Sequence, residues 1–161
     1  MSRLHLIAAA GLLALTAGSP APAQETLLVA ALSFDDAEKI GLEAVKIAKA
    51  RGQPVSVVVV NRDGRVILAL RMDGTSYLNL EVAQQKAVTA ATLGIPSGDI
   101  ARAIDGGQPS LLAIPGLMPI AGGIPVMRGG ETIAGIGVSG GAPDDDRQVA
   151  EAAAKAGSQS R

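Results

Sequence analysis

The sequence predicts an α+β domain with a mainly antiparallel sheet, and three observations indicate this class. Two hairpin turns, at Asp63-Gly64 and at 128–131, each separate two short apolar runs. Stretches with helical periodicity precede, separate and follow the two hairpins. Strands joined by such short turns pair antiparallel, so the regular strand–helix alternation of a doubly wound fold is not expected.

The first half of the domain is predicted to contain a helix, a hairpin and a second helix. Ser33 is the expected N-cap of the first helix, because acidic residues follow it where they favour the helix dipole. Pro54 prevents this helix from continuing, and Gly94 stops the second one. The predicted elements are a helix over 34–52, strands over 55–60 and 66–70, and a helix over 78–93.

The second half is predicted to begin with a loop-rich segment and to end with a hairpin and a helix. Ser97 is the expected cap of a short helix, and a single helical turn follows it. Two further glycine pairs then mark turns between apolar runs. The predicted elements are helical segments over 97–104 and 110–114, strands over 117–121, 124–127 and 132–138, and a helix over 144–156.

The amino terminus has the pattern of a secretory signal. A short basic start precedes the apolar run 6–18, and Ala21-Pro22-Ala23 has the small residues that signal peptidase accepts. The run is too short for a comfortable membrane anchor, although an uncleaved anchor remains the alternative. We therefore expect a signal peptide over 1–23, a single domain over 24–161, and a periplasmic or secreted protein that is not embedded in a membrane after cleavage.

Composition excludes several kinds of chemistry. The chain has no cysteine, and its one histidine, His5, lies in the expected signal. The mature protein then has no Ser-His-Asp or Cys-His nucleophile, no imidazole or thiolate zinc site, and no histidine ligand for haem. A net charge of −1, with one Tyr, one Phe and no Trp, gives neither a basic surface nor an aromatic platform for nucleic acid.

Gly135, Gly137 and Gly140 have the G-x-G-x-x-G spacing of dinucleotide-binding sites. Only 161 − 140 = 21 residues follow, which leaves no room for the second parallel strand of such a site. The acidic run 144–146 would also repel a pyrophosphate. We expect these glycines to permit close packing and a turn, and the aspartates to cap the last helix. A calcium or iron site on these carboxylates is the alternative.

The second cluster of polar residues lies over 71–91, in the turn after a strand and on the following helix. Glu81 and Gln85 share one helix face, whereas Lys86 and Thr89 share another. Ordinary structural roles are available, with Arg71 pairing to a nearby acid and Lys86 extending to solvent. The candidate ligand-binding residues are Arg71, Asp73, Tyr77, Glu81, Lys86 and Thr89.

Three ordered motifs resemble one family. They are NRDGRVILALRMDG, EVAQQKAVTAA, and GGIPVMRGGETIAGIGVSGG followed by an acidic run and an alanine-rich helix. Over about residues 32–156 the chain resembles the GlcG/HbpS family, a haem-binding or haem-degrading type of domain also found at the C-terminus of PduO proteins. The resemblance implies a profilin-like sandwich with a five-stranded, mainly antiparallel sheet, a homo-oligomer, and in some members haem or iron as the ligand.

Under this resemblance a haem ligand would need an unusual axial donor, because the mature chain has neither histidine nor cysteine. Arg71 and Lys86 could pair with the propionates, and aliphatic side chains could cover the ring. The available axial donors are Met72, Tyr77, Lys86, Thr89, Met118 and Met127.

Three functions follow, in order of preference. The first is an exported small-ligand-binding protein for haem or a related iron or tetrapyrrole ligand. The second is an enzyme acting on haem or on a small hydroxy or keto acid, in which Arg71 holds a carboxylate and Lys86 or Glu81 transfers a proton. The third is a non-catalytic accessory or assembly subunit.

Overall fold

The computed structural model of the protein describes residues 31–158 of the 161-residue chain. The expected signal peptide over 1–23 lies outside the described residues. The elements in chain order are α1 (Phe34–Ala50), β1 (Ser56–Asn61), β2 (Val66–Arg71), α2 (Tyr77–Leu93), α3 (Ser97–Asp105), a 3₁₀ turn (Pro109–Ala113), β3 (Gly123–Arg128), β4 (Glu131–Ser139) and α4 (Pro143–Ser158).

The sheet is antiparallel throughout, with the strand order β2-β1-β4-β3. Strand β1 is buried along most of its length, and its side chains alternate between two apolar clusters. Val57 and Val59 pack with the buried faces of α1 and α4, whereas Val58 and Val60 pack under α2. The domain therefore has three layers, with the sheet between the α1–α4 pair and α2, and the α+β class is confirmed.

The expectation of five strands is wrong for the described part of the chain, where the sheet has four. The segment 117–121 forms a loop, because its backbone groups bond elsewhere. The backbone N–H of Met118 donates to Thr89 Oγ1 at 2.9 Å, and Ser97 Oγ donates to the carbonyl of Ile120 at 2.6 Å. Pro119 has no N–H to offer to a neighbouring strand.

Ser97 differs from its predicted role as a helix cap. Pro96 holds the N-cap position of α3 and makes no side-chain capping bond. The buried Ser97 hydroxyl instead accepts a hydrogen bond from the backbone of Gly123 at 2.9 Å. Ser97 therefore ties α3 to the start of β3. The predicted cap at Ser33 is confirmed, since its hydroxyl accepts from the N–H of Asp36 at 3.1 Å.

Gly135 and Gly137 lie on the face of β4 that packs against α2. A β-carbon on Gly135 would lie 2.5 Å from the carbonyl oxygen of Ala87, and one on Gly137 would overlap the backbone of Ala83. Helix α2 can approach the sheet this closely only because both residues lack side chains. The glycine pattern is thus explained by packing.

Candidate functional site

An open groove lies on one side of β2, between that strand and α1. We call it the α1–β2 groove, and its volume is about 380 Å³. Small-molecule sites in proteins typically measure about 300–1,000 Å³, so the groove has a suitable size. The lining residues are Leu42, Val45, Lys49, Leu70, Arg71, Met72 and Asp73.

The groove combines an apolar lining with charged residues. Leu42, Val45 and Leu70 supply aliphatic surface, and Met72 adds a thioether. Lys49 and Arg71 carry positive charge, whereas Asp73 carries one negative charge, so the lining has a net charge of +1. An apolar surface with an excess of positive charge suits an amphipathic, anionic ligand.

Arg71, the last residue of β2, is held in place by the turn that follows it. Its Nη1 donates to the carbonyl of Thr75 at 2.8 Å and to that of Met72 at 3.4 Å. The guanidinium also lies 4.6 Å from the ring centroid of Tyr77, which is a cation–π contact. Within residues 31–158 Arg71 forms no salt bridge, so the expected pairing with Asp73 or Glu81 does not occur.

Lys86 lies in a different place, inside the protein between α2 and the end of β4. Its Nζ donates to Asp146 Oδ2 and to the carbonyl of Val138, both at 3.0 Å. Lys86 and Asp146 are each only 2% exposed. Burial lowers the pKa of Lys86 below its ordinary value, while the carboxylate of Asp146 acts in the opposite direction.

Asp146 is the centre of this interior cluster. Its Oδ1 accepts from Gln53 Nε2 at 3.0 Å and from the backbone N–H of Gly141 at 2.9 Å. With Lys86, three protein donors therefore hold the carboxylate in place. Asp144 and Asp145 are exposed, and the described part of the chain contains no group of three acidic residues arranged to hold a metal ion. The alternative of a calcium or iron site on the acidic run is not supported.

The backbone of Gly122 packs closely against the ammonium group of Lys86 in the interior cluster. This residue has φ +122°, and a β-carbon there would lie 2.9 Å from Lys86 Nζ. The carbonyl of Gly122 accepts from the N–H of Val138 at 2.9 Å. The cluster thus joins α2, α4, β4 and the loop before β3, and it leaves no space at the ammonium for a ligand.

The structure divides the six candidate residues into two groups. Arg71, Asp73 and Tyr77 lie together at the turn between β2 and α2, and Glu81 is exposed one helical turn further on. Lys86 and Thr89 are buried in the interior. As ligand-binding residues, these six remain predictions.

Sequence reasoning missed the wall of the groove that α1 contributes. Leu42 could have indicated this wall from the sequence, because it is a leucine on the charged side of an amphipathic helix. In the structure its side chain is 53% exposed. Sequence reasoning also missed the pairing of Asp146 with Lys86. These two residues are 60 positions apart, and no local pattern connects them.

The protein is thus a small α+β domain of three layers with an open groove on its surface. Residues 32–155 match the family described as haem degrading protein HbpS-like. The chain belongs to this HbpS-like family, and the resemblance drawn from the sequence is confirmed.

Three proteins illustrate the relationship. The corrinoid adenosyltransferase PduO of Salmonella typhimurium is 30% identical over 147 residues, which are 86% of this chain and 42% of PduO. The chain thus spans about two-fifths of that relative. The crystal structure of a doubly substituted HbpS from Streptomyces reticuli is 36% identical, with a TM-score of 0.77, and the match covers 87% of this chain and 97% of HbpS. The crystal structure of a PduOC–haem complex is 27% identical, with a TM-score of 0.72, covering 79% and 95%.

No helix within residues 31–158 is long and apolar enough to cross a membrane.

Proposed function

We propose that this protein binds haem or a closely related tetrapyrrole, and that the α1–β2 groove is the binding site. The observation that carries the proposal is an aliphatic groove whose charged residues include two cations and whose lining includes a thioether. The similarity to a protein crystallised as a haem complex supports the choice of ligand. The groove is open, so a bound macrocycle would be only partly enclosed.

The lining residues suit the parts of a haem molecule. Leu42, Val45 and Leu70 would pack against the macrocycle, and Lys49 and Arg71 would pair with the propionates. Met72 would offer a thioether to the iron, which is a known type of haem ligand. Haem would supply a redox-active iron at the protein surface.

Arg71 is well prepared for an anionic partner. Both of its hydrogen bonds in the described part of the chain are made by Nη1, so Nη2 and Nε retain N–H donors. The contact with Tyr77 limits the rotation of the guanidinium. A positioned guanidinium loses less conformational entropy on binding a carboxylate than a freely rotating one does.

Titration with hemin, followed through its Soret band, tests the proposal. We expect micromolar binding that weakens about tenfold in Lys49→Glu, which replaces an attractive charge by a repulsive one. Lys155→Glu makes the same change on an exposed position of α4 and should leave binding unaltered. Equal binding by both variants would contradict the assignment of the groove.

A separate variant tests whether Met72 is the iron donor. Met72→Leu should shift the Soret maximum, because it removes the proposed iron donor while keeping an apolar side chain of similar volume. Met127→Leu removes an exposed methionine outside the groove and should leave the spectrum unchanged. An unchanged spectrum in Met72→Leu would remove Met72 from the site.

The buried cluster does not favour the alternative of an enzyme in which Lys86 transfers protons. The Lys86 ammonium is held by Asp146 and by the carbonyl of Val138, and it does not line the groove. Its depressed pKa therefore reflects burial within the packed interior.

We propose that the protein is exported, on the basis of its amino-terminal sequence. The basic start, the apolar run 6–18 and the small residues up to Ala23 support this. Sequencing the amino terminus of protein recovered from the periplasm or the medium tests it, and we expect Gln24 as the first residue. Recovery of the uncleaved chain from the cytoplasm would contradict the proposal.

A further inference from the structure

The sheet has two edge strands, β2 and β3. Along an antiparallel strand, the backbone groups of one residue bond to the neighbouring strand, and those of the next residue face away from it. Groups that face away from an edge strand can pair with another extended chain unless the protein itself occupies them. Whether an edge can accept another chain therefore depends on these groups.

The edge of β3 is closed by the protein. The N–H of Val138 donates to the carbonyl of Gly122, so these two residues form a hydrogen-bonded pair. By alternation, the backbone groups of Gly123 and Pro125 face away from β4. The N–H of Gly123 donates to the buried Ser97 hydroxyl at 2.9 Å, and Pro125 has no N–H. An added strand would find no available donor at either position.

The edge of β2 is open. The N–H of Met72 donates to the carbonyl of Val55 at 3.0 Å, so by the same alternation the backbone groups of Ala69 and Arg71 face away from β1. Within residues 31–158, no hydrogen bond outside the β1–β2 ladder engages these backbone groups, and both residues are exposed. Ala69 and Arg71 thus offer two donors and two acceptors to an extended chain.

The regular part of this edge is short. The pairing of β1 with β2 shifts register between Val59 and Val60, and a bulge of this kind bends a strand. Leu68 pairs with Val59, so the straight edge runs from Leu68 to Met72. At about 3.4 Å per residue, this edge accommodates a segment of roughly five to seven residues.

Helix α1 covers the space beside this edge. Gly41 lies directly over β2, since a β-carbon there would be 2.5 Å from Leu68 Cδ2 and 3.2 Å from Leu70 Cδ1. Leu42 and Val45 then line the α1–β2 groove, and Leu42 is 53% exposed. A segment paired with β2 would lie in this groove and direct alternate side chains toward Leu42 and Val45. The strand thus matches its backbone, and the helix matches its apolar side chains.

Charge in the groove favours an acidic segment. Lys49 lies in the last turn of α1, and Arg71 is the last residue of β2. Both line the groove, and neither forms a salt bridge within the described part of the chain. With Asp73 the lining keeps a net charge of +1, so carboxylates on the segment would be attracted to it.

We propose that the open edge of β2 is a docking site for an extended, acidic segment of another polypeptide, which pairs antiparallel with Ala69 and Arg71 beneath α1. In this mode of recognition the backbone hydrogen bonds supply affinity, and the alternate side chains supply specificity. The groove-facing side chains of the segment are apolar beside Leu42 and Val45 and acidic beside Lys49.

The docking site overlaps the proposed haem site, because Leu42, Val45 and Lys49 line the groove in both cases. A docked segment and a bound macrocycle would exclude each other, so hemin should displace the segment. This consequence rests on the proposed function, whereas the docking itself does not.

A synthetic peptide, acetyl-Glu-Thr-Val-Thr-Val-Thr-Glu-amide, tests the docking. Its valines would face the groove, and its threonines would then bond to the edge of β2. We expect a dissociation constant on the order of 100 µM, because a short segment buries little surface. N-methylation of the central threonine removes a donor that faces β2 and should weaken binding at least tenfold. N-methylation of a valine removes a donor that faces away and should leave binding unaltered. No binding of the unmodified peptide, or equal binding of the two methylated peptides, would overturn the proposal.

Amide hydrogen exchange, followed by NMR, tests the same edge from the side of the protein. The N–H groups of Ala69 and Arg71 should exchange rapidly in the protein alone and be protected by saturating peptide. Protection without peptide would show that a second copy, or another segment of this chain, already covers the edge, and would overturn the proposal.

Two variants test the edge and the groove separately. Ala69→Pro removes an N–H that faces away from β1, so it should keep the fold and weaken peptide binding about tenfold. Leu42→Asp should also weaken binding of the acidic peptide, whereas Leu112→Asp, which changes another exposed leucine, should not. Full binding by Leu42→Asp would overturn the proposal. The methylated peptides decide the question even where Ala69→Pro fails to fold.

Hemin titration separates this proposal from the proposed function. Ala69 does not line the groove, so Ala69→Pro should retain hemin binding while it loses the peptide. An original chain that binds hemin but not the peptide overturns the docking and leaves the proposed function standing. A chain that binds the peptide but not hemin leaves only the docking.

Discussion

Two polar clusters lie near helix α2, and they differ in almost every physical respect. The interior cluster pairs Lys86 with Asp146 at 3.0 Å, and each of these residues is 2% exposed. The surface cluster contains Arg71 at the end of β2 and Tyr77 at the start of α2, and Tyr77 is 73% exposed. The first holds elements of the fold together, and the second has donors available for a ligand. The comparison teaches that residues of similar chemistry in one short motif can have opposite roles.

Breaking the interior pair should have the largest effect. Lys86→Met leaves the Asp146 carboxylate buried without its cation, and we expect a loss of about 3–5 kcal/mol in the free energy of unfolding. The double variant Lys86→Met/Asp146→Asn removes both charges and keeps an oxygen acceptor for Gly141. It should recover much of the loss. Urea denaturation of the three proteins measures this, and equal loss in both variants would show that the charge pairing is not the cause.

The close contact between α2 and the sheet should be the next most sensitive feature. Gly137→Ala places a methyl group against the backbone of Ala83, so a loss of about 1–3 kcal/mol is expected from overpacking. Gly106→Ala is the control, because Gly106 is exposed and has φ −77°, and a β-carbon there would lie 3.1 Å from the carbonyl oxygen of Arg102, a much milder contact than the overlap at Gly137. A thermal midpoint as high in Gly137→Ala as in Gly106→Ala would contradict the packing explanation.

Because of the buried Lys86, the free energy of unfolding should also depend on pH. Burial lowers the pKa of Lys86 in the folded protein, so between this lowered pKa and the ordinary lysine pKa of about 10.4 the unfolded chain binds more protons than the folded one. The contribution of Lys86 to the free energy of unfolding therefore increases as the pH rises from the lowered pKa of the folded protein toward the ordinary lysine pKa. The difference in unfolding free energy between the original chain and Lys86→Met/Asp146→Asn, measured over this range, isolates the effect. We expect the free energy of unfolding of the original chain, relative to that of the double variant, to increase with pH. A decrease with pH would contradict the prediction.

The surface cluster should respond least in stability and most in binding. Tyr77→Ala removes the cation–π contact with Arg71, and an exposed contact of this type is worth about 0.5–1 kcal/mol. We expect a small change in the unfolding midpoint, together with weaker hemin binding, because Arg71 keeps its hydrogen bonds to the turn but loses the ring that limits the rotation of its guanidinium. Tyr77→Phe keeps the ring and should retain binding. Loss of binding in both variants would point to the hydroxyl of Tyr77 instead.

Local patterns predicted most of the secondary structure. Ser33 begins α1, the turn at Asp63-Gly64 joins β1 to β2, and Gly94 ends α2 with φ +70°. Each signal depends on residues within one turn of the backbone, so sequence is sufficient to identify it. The predicted strand over 117–121 failed because side chains of Thr89 and Ser97, far away in sequence, take its hydrogen bonds.

By itself, the sequence determined the α+β class, the family and the polar motif around Arg71, since these depend on local order and composition. Only the tertiary structure decided that Lys86 belongs to the interior, because its partner Asp146 lies 60 residues away. The same holds for the α1–β2 groove, whose walls come from two elements separated along the chain. Charge and apolar character can be read from residues in order, whereas burial and pairing depend on which distant segments the fold brings into contact.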